Sequence, residues 1–302
     1  MPTKNITLDK IMVHFGSEDA CHEALAELRW PEGVQCPRCA SQKISRIVKR
    51  RQFECDGCRY QFSVRVGTIF AESKLPLAKW FLAVYLMVQA KKGRSANEMM
   101  RLLGVTYKTA WFLCHRIRAS MHDADQRPLR GVVEIDETYV GGERLGVGRG
   151  YVDNKSVVIA AVERDGDVRM RVVPDRGTRS VAKFVRENVH EDAEAVFTDE
   201  ARVYPGVLKD HNHESVKHGG YGSKARREWV RGRVHTNTVE GVHSLLKRSI
   251  IGSFHHMSKK HLPAYVDEIE WRYNNRKNPY LFRDTMVELL KTAPMEYEKL
   301  TA

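Results

Sequence analysis

The sequence predicts an α+β chain of several domains, and three observations carry that expectation. Two Cys-x-x-Cys pairs stand near the N-terminus, Cys36-Pro-Arg-Cys39 and Cys55-Asp-Gly-Cys58. Residues 75–118 carry a helical pattern with cap signals, and from Gly131 onward short β-branched runs take over, with a helical stretch between them. At 302 residues the chain can bury a sizeable core and divide into more than one domain.

The first element is a small metal-held module, expected over residues 15–68. In a reducing compartment, two such cysteine pairs separated by 15 residues read as one tetrahedral zinc site with four thiolate ligands, Cys36, Cys39, Cys55 and Cys58. Four thiolates leave no open coordination position, so the ion is structural. Gly57 is expected to ease the second turn by taking a positive φ. Tyr60–Val66 alternates as a half-buried strand should, which completes the layout of a zinc ribbon. Between the knuckles, Lys43–Arg51 places five cations on a hairpin, with Lys49, Arg50 and Arg51 as candidate DNA contacts. Cys21 and Cys114 lie outside the pairs and read as packed thiols.

The second element is helical, expected over residues 69–125. Leu75-Pro-Leu-Ala-Lys-Trp80 reads as a helix start with Pro76 in the first turn. Ser95-Ala-Asn-Glu98 carries the spacing of a capping box, and the helix Ala96–Leu103 stops at Gly104. A further helix runs from Thr106 to Arg118. Two helices joined by a glycine-containing turn make a helix-turn-helix candidate, in which Thr106, Tyr107 and Lys108 would reach base edges or phosphates.

The third element, residues 126–280, reads as a mixed sheet with helices packed on it, followed by a tail at 281–302. Val132–Val140, Lys155–Glu163, Val168–Val173 and Ala195–Asp199 are strands, with a hairpin turn at Asp165-Gly166. Thr178–Val189 and Asn237–Lys247 are helices, and Leu262–Asn274 closes the sheet. Asp136 on the first strand, Asp199 at the end of the fourth and Glu240 on the following helix suit a metal-dependent phosphoryl-transfer site. An unpaired carboxylate ending an apolar run is costly unless a cation compensates it. Such an arrangement of acids is the one used by ribonuclease H-like nucleases. Lys247, two helical turns past Glu240, falls on the same face and suits a DNA phosphate. The run Lys217–Arg233, which includes Arg226 and Arg227, reads as a basic loop that wraps DNA, and Gly141–Tyr151 as a second glycine-rich loop.

Charge agrees with a polyanionic partner. The net charge is +12, and residues 1–125 hold 20 Lys and Arg against 12 Asp and Glu. No apolar run is long enough to cross a bilayer, and the first residues lack a signal peptide's apolar stretch, so the expected location is cytoplasmic.

Taken together, these residues resemble the DDE-type transposases of bacterial insertion sequences, in the group with an N-terminal zinc ribbon and a ribonuclease H-like catalytic domain. The resemblance rests on the two cysteine pairs, Gly67-Thr-Ile-Phe70, Lys79-Trp-Phe-Leu82, Tyr107-Lys-Thr-Ala-Trp111, Glu134-Ile-Asp-Glu-Thr-Tyr-Val-Gly-Gly142, Thr198-Asp199, His235-Thr-Asn-Thr-Val-Glu-Gly241 with Lys247, and Arg272-Tyr-Asn-Asn-Arg276. It implies that Asp136 and Asp199 hold two Mg²⁺ or Mn²⁺ ions and that Glu240 is the third acid. Asn237, one turn earlier, is the alternative third ligand. The implied partners are double-stranded DNA, as element ends and as target, and a second copy of the chain on that DNA; Lys247 and Arg248 would contact phosphates. The implied activity is metal-dependent strand cleavage followed by strand transfer. A DNA-binding regulator that has lost catalysis, and a nuclease that cuts without joining, are the competing readings. Glu137 and Glu200 are expected to point away from the metals. His235, His243, His255, His256 and His261 crowd near Glu240 in sequence without being needed for hard-oxygen chemistry.

Overall fold

The computed structural model describes residues 4–122, 126–141, 155–217 and 228–302. They group into two compact units. One contains the N-terminal residues to His122 together with Lys277–Ala302, and the other runs from Asp123 to Arg276.

The first unit opens with helices α1 (Leu8–Phe15) and α2 (Glu18–Arg29), which the sequence reading left unassigned. A three-stranded antiparallel sheet follows: β1 (Ile44–Ile47), β2 (Gln52–Cys55) and β3 (Gln61–Phe62). The third strand is shorter than the alternation to Val66 predicts, because backbone turns at Ser63–Val66 and Arg65–Thr68 end it. Trp30 packs edge-on against Phe53 and Phe62, with ring centroids 5.6 and 5.9 Å away.

Helices α3 (Leu77–Gln89), α4 (Ala96–Leu103) and α5 (Tyr107–Ala119) form the helical part. Leu77, Trp80, Phe81, Val84 and Met87 of α3 are buried, as are Ala110, Leu113 and Ile117 of α5. Half of the expected capping box forms. The Ser95 hydroxyl accepts the Glu98 N–H at 3.1 Å, but the Glu98 carboxylate pairs with Arg94. Gly104 ends α4 at φ 59°, ψ 49°, a left-handed conformation that glycine adopts freely. The Thr106 hydroxyl then caps α5 by accepting the Thr109 N–H at 3.3 Å. The final residues fold back within this unit as α10 (Leu281–Lys291) and α11 (Tyr297–Thr301), and Phe282 packs near Phe15 and Phe81.

The second unit is built on a five-stranded sheet of β4 (Val132–Val140), β5 (Ser156–Glu163), β6 (Val168–Val173), β7 (Ala195–Thr198) and β8 (His213–Ser215). Its order is β6-β5-β4-β7-β8. The first three strands form an antiparallel meander, while β4, β7 and β8 run parallel. Only β5 therefore runs against the others, which is the strand order of a ribonuclease H-like sheet. Helices α6 (Thr178–Asn188) and α7 (Tyr204–Val207) cover one face, and α8 (Asn237–Ser249) with α9 (Leu262–Asn274) cover the other. Strand alternation assigns the side chains of β4: Val133 and Ile135 face α6, whereas Val140 faces α8 and α9. Among the described residues no helix is long and apolar enough to cross a membrane.

Candidate functional site

The cysteine knuckles meet as their spacing requires. The sulfurs of Cys36 and Cys58 are 3.7 Å apart, those of Cys39 and Cys55 are 3.5 Å apart, and all four lie within 4.8 Å of one another. A tetrahedral ion with Zn–S bonds of about 2.3 Å needs sulfur–sulfur edges of roughly 3.8 Å, so the cluster fits zinc. Amide N–H groups of Cys58 and Gly57 are aimed at the Cys55 sulfur, where they stabilise the thiolate form a metal needs. These four residues are a structural zinc site. One expectation is corrected: the left-handed residues are Ala40 and Arg59, each directly after the second cysteine of its pair, and Gly57 has no positive φ. Cys21 and Cys114 are buried away from the cluster, and burial pushes the Cys21 thiol up to about 12.

The candidate DNA contacts of this unit stand in different settings. Lys49 and Arg50 are exposed on the turn after β1, but Arg51 is paired with Asp19, and Arg46 forms a two-bond pair with Glu23 at 2.9 and 3.0 Å. Tyr107 is half exposed at the start of α5, and the Lys108 ammonium lies 4.2 Å from the ring centre of Tyr297 on α11. Arg226 and Arg227 lie outside the described residues, as does most of Gly141–Tyr151.

The acids gather around the middle of the large sheet. β4 and β7 pair in parallel with Glu134 opposite Phe197. β7 ends at Thr198, one residue past that pair, and Asp199 follows it directly, beside the middle of β4. Both residues are half-buried, and Asp199 accepts the Ala201 N–H at 3.0 Å. On the α8 side, Oδ2 of Asp136 lies 3.3 Å from Nδ1 of His243, a residue only 4% exposed. Two residues earlier on the same face, Glu134 is fully buried and accepts the N–H groups of Thr238 and Val239 at 2.7 and 3.1 Å.

These two contacts fix the course of α8. Glu134 and Asp136 are separated by about 6.7 Å along an extended strand. Thr238 and His243 are separated by about 7.5 Å along a helix. α8 therefore runs alongside β4, and Glu240 sits between the two contact points. Glu240 is half-buried and accepts the Thr236 hydroxyl at 3.2 Å, while Asn237, Lys247 and Arg248 are exposed.

The carboxylates of Asp136, Asp199 and Glu240 do not all approach within 4.8 Å of one another; among the described residues, the four cysteines alone do so as a group. The charge of the acids is felt nearby: burial first, and then the charges of Asp136 and Asp199, push the Glu137 carboxyl up to about 7. Glu137 points to the other face of β4, beside Tyr204 of α7, as alternation requires. Glu200 is exposed. The donor set of hard oxygens in a negative field suits Mg²⁺ or Mn²⁺.

Two residues were not singled out by the sequence reading, Glu134 and Thr238. A carboxylate inside the apolar run Val132-Val-Glu-Ile was the available signal. His243 was one of five histidines near Glu240, and nothing in the sequence distinguishes it from its neighbours.

A four-cysteine ribbon followed by a sheet of this order is the layout that the sequence analysis expects of a transposase. The ISXO2-like transposase domain matches residues 128–274, and the transposase zinc-ribbon domain matches residues 16–61. An uncharacterized protein in transposable element ISH50 of Halobacterium salinarum is 31% identical over 298 residues, covering 92% of this chain and 96% of that protein. The crystal structure of the Mos1 strand transfer complex aligns over 70% of this chain and 75% of its own, with 11% identity and a TM-score of 0.27. The chain belongs to the ISXO2-like transposases.

Proposed function

We propose that this transposase cuts DNA at the ends of its element and joins those ends to target DNA, using Asp136, Asp199 and Glu240 as the ligands of two divalent cations. The observation that supports the reading is the course of α8 along β4: His243 lies against Asp136, Glu240 is one turn before His243 on the same helix, and Asp199 directly follows β7, the strand beside β4. Glu240 is favoured over Asn237 as the third ligand on the same ground. α8 passes Asp136 at His243; Glu240 is about 4.5 Å from that level along the helix and Asn237 about 9 Å. A carboxylate also offsets the cation's charge, which an amide does not.

When bound, the cations would activate the attacking water or DNA 3′-hydroxyl and stabilise the leaving oxygen. The side chains do the rest. Asp136 is oriented by His243, and Asp199 is held by the Ala201 amide. Lys247 lies two turns beyond Glu240 on the exposed flank of α8 and suits a strand phosphate. Lys49, Arg50, Thr106, Tyr107 and Lys108 would bind the element end, the exposed cations by charge and the start of α5 by groove contacts. Two ends must be joined to one target, so the working form on DNA is at least a dimer.

The test is cleavage of a labelled duplex carrying an element end, with Mg²⁺, by the natural chain, Glu240→Gln and Asn237→Ala. Cleavage that is lost in Glu240→Gln and kept in Asn237→Ala supports the assignment. A natural chain that binds the ends and cuts with neither Mg²⁺ nor Mn²⁺ makes the protein a DNA-binding regulator instead.

A further inference from the structure

Glu134 is an unusual residue to find at zero exposure in the middle of a sheet. A buried carboxylate is costly unless its oxygens are met by donors, and here the donors come almost entirely from one place. Oε2 accepts the Thr238 N–H at 2.7 Å and the Val239 N–H at 3.1 Å. Oε1 accepts the Thr238 hydroxyl at 2.8 Å and the Arg164 Nε–H at 2.7 Å, and lies 3.2 Å from His235 Nδ1.

The start of α8 explains this concentration. Its own N-cap, Thr236, makes no side-chain cap, so the second and third N–H groups of the helix would otherwise lack partners. Glu134 supplies the cap from β4, where its negative charge also favours the positive end of the helix. The same strand carries Asp136 two residues on, and the same helix carries Glu240 two residues after Thr238.

We infer that Glu134 is a positioning residue for the metal site: by capping α8 from β4 it sets the distance between Asp136 and Glu240. It touches neither cation nor DNA in this scheme. The inference rests on the two-cation reading of the acids given above. A glutamine keeps the volume of the side chain but loses the charge that meets the helix start, and it turns an NH₂ group toward either the helix N–H groups or the Arg164 Nε–H, so the cap is weakened.

The experiment uses the zinc-loaded full chain and reads Mn²⁺ affinity from the free-ion signal in electron paramagnetic resonance, beside melting temperature and Mn²⁺-dependent cleavage. Glu134→Gln is expected to melt cooperatively, to bind Mn²⁺ roughly tenfold or more weakly, and to regain cleavage when Mn²⁺ is raised by a similar factor. A cap with a purely structural role would lower the melting temperature and leave the metal dependence where it was. Mn²⁺ affinity and metal dependence within about twofold of the natural chain would overturn the inference. If Glu134→Gln does not fold, Thr238→Val removes one hydroxyl bond and is judged the same way. A loss of about threefold supports the inference, and an unchanged affinity overturns it. A natural chain that neither binds Mn²⁺ nor cuts would instead sink the two-cation reading itself, and this inference with it.

Discussion

The Nδ1 atom of His243 stands 3.3 Å from Oδ2 of Asp136, joining the middle of α8 to the centre of β4. Its other ring nitrogen, Nε2, is buried with no hydrogen-bond partner among the described residues. The imidazole lies against one oxygen of Asp136, and on the proposed reading the other oxygen is the one that meets a cation. His243→Leu should keep end binding and lower cleavage roughly tenfold or more, because small misplacements of a reacting group cost that much. Cleavage at the natural rate by a folded variant would remove this contact from the account.

Glu137 gives a pH prediction for the metal-free chain. Its carboxyl is pushed up to about 7 from 4.5, first by burial and then by Asp136 and Asp199, so the folded state favours its neutral form. That contribution to stability is present below about pH 4.5 and is lost as pH rises through about 7. Glu137→Gln stays neutral throughout. It should be more stable than the natural chain by about 3 kcal/mol at pH 8, with the difference closing toward pH 4. Denaturant titrations at the two pH values in the presence of a chelator measure this. A difference that does not change with pH would contradict it.

Zinc holds the β1–β2–β3 module. Phe53, Phe62 and the sheltering Trp30 are too small a core to fold without the ion. Cys55→Ser should lose its zinc by elemental analysis and shift the emission of Trp30 toward that of an exposed indole, with weaker binding to element ends. Stoichiometric zinc in the variant would show that the cluster is not the site.

Much of this was legible in the sequence. Strand β4, strand β6 and helices α4 and α9 begin and end where the residue pattern places them, since periodicity and cap residues act locally. The cysteine site was equally legible, because ligand chemistry and spacing are written together. Strand β8 and helix α7 were not, since three or four residues carry too little pattern to mark an element. The course of α8 was hidden for another reason. It depends on Glu134 meeting Thr238 and on Asp136 meeting His243, pairs separated by more than 100 residues. The engagement of Arg51 by Asp19, and of Lys108 by Tyr297, is long-range in the same way. A count of cations cannot reveal which of them are already partnered.

The start of α5 separates stability from recognition. Thr106→Ala removes the oxygen that caps Thr109 and should cost about 1 kcal/mol, whereas Thr106→Ser should cost little. Lys108→Ala leaves that cap intact and should weaken end binding with a shallower salt dependence. Melting curves and binding isotherms at two salt concentrations distinguish the two effects. Equal losses of stability for Ala and Ser at position 106 would mean that the cap contributes nothing.

On the proposed reading, the acids on the large sheet cut and join DNA. The direct measurement is strand cleavage and joining on a labelled element-end duplex with Mg²⁺, comparing the natural chain with Asp199→Ala. Metal-dependent cleavage and joined product are expected from the natural chain, and neither from the variant, which still binds the ends. Equal cleavage by both proteins, or tight end binding by both with no cleavage in Mg²⁺ or Mn²⁺, would contradict it.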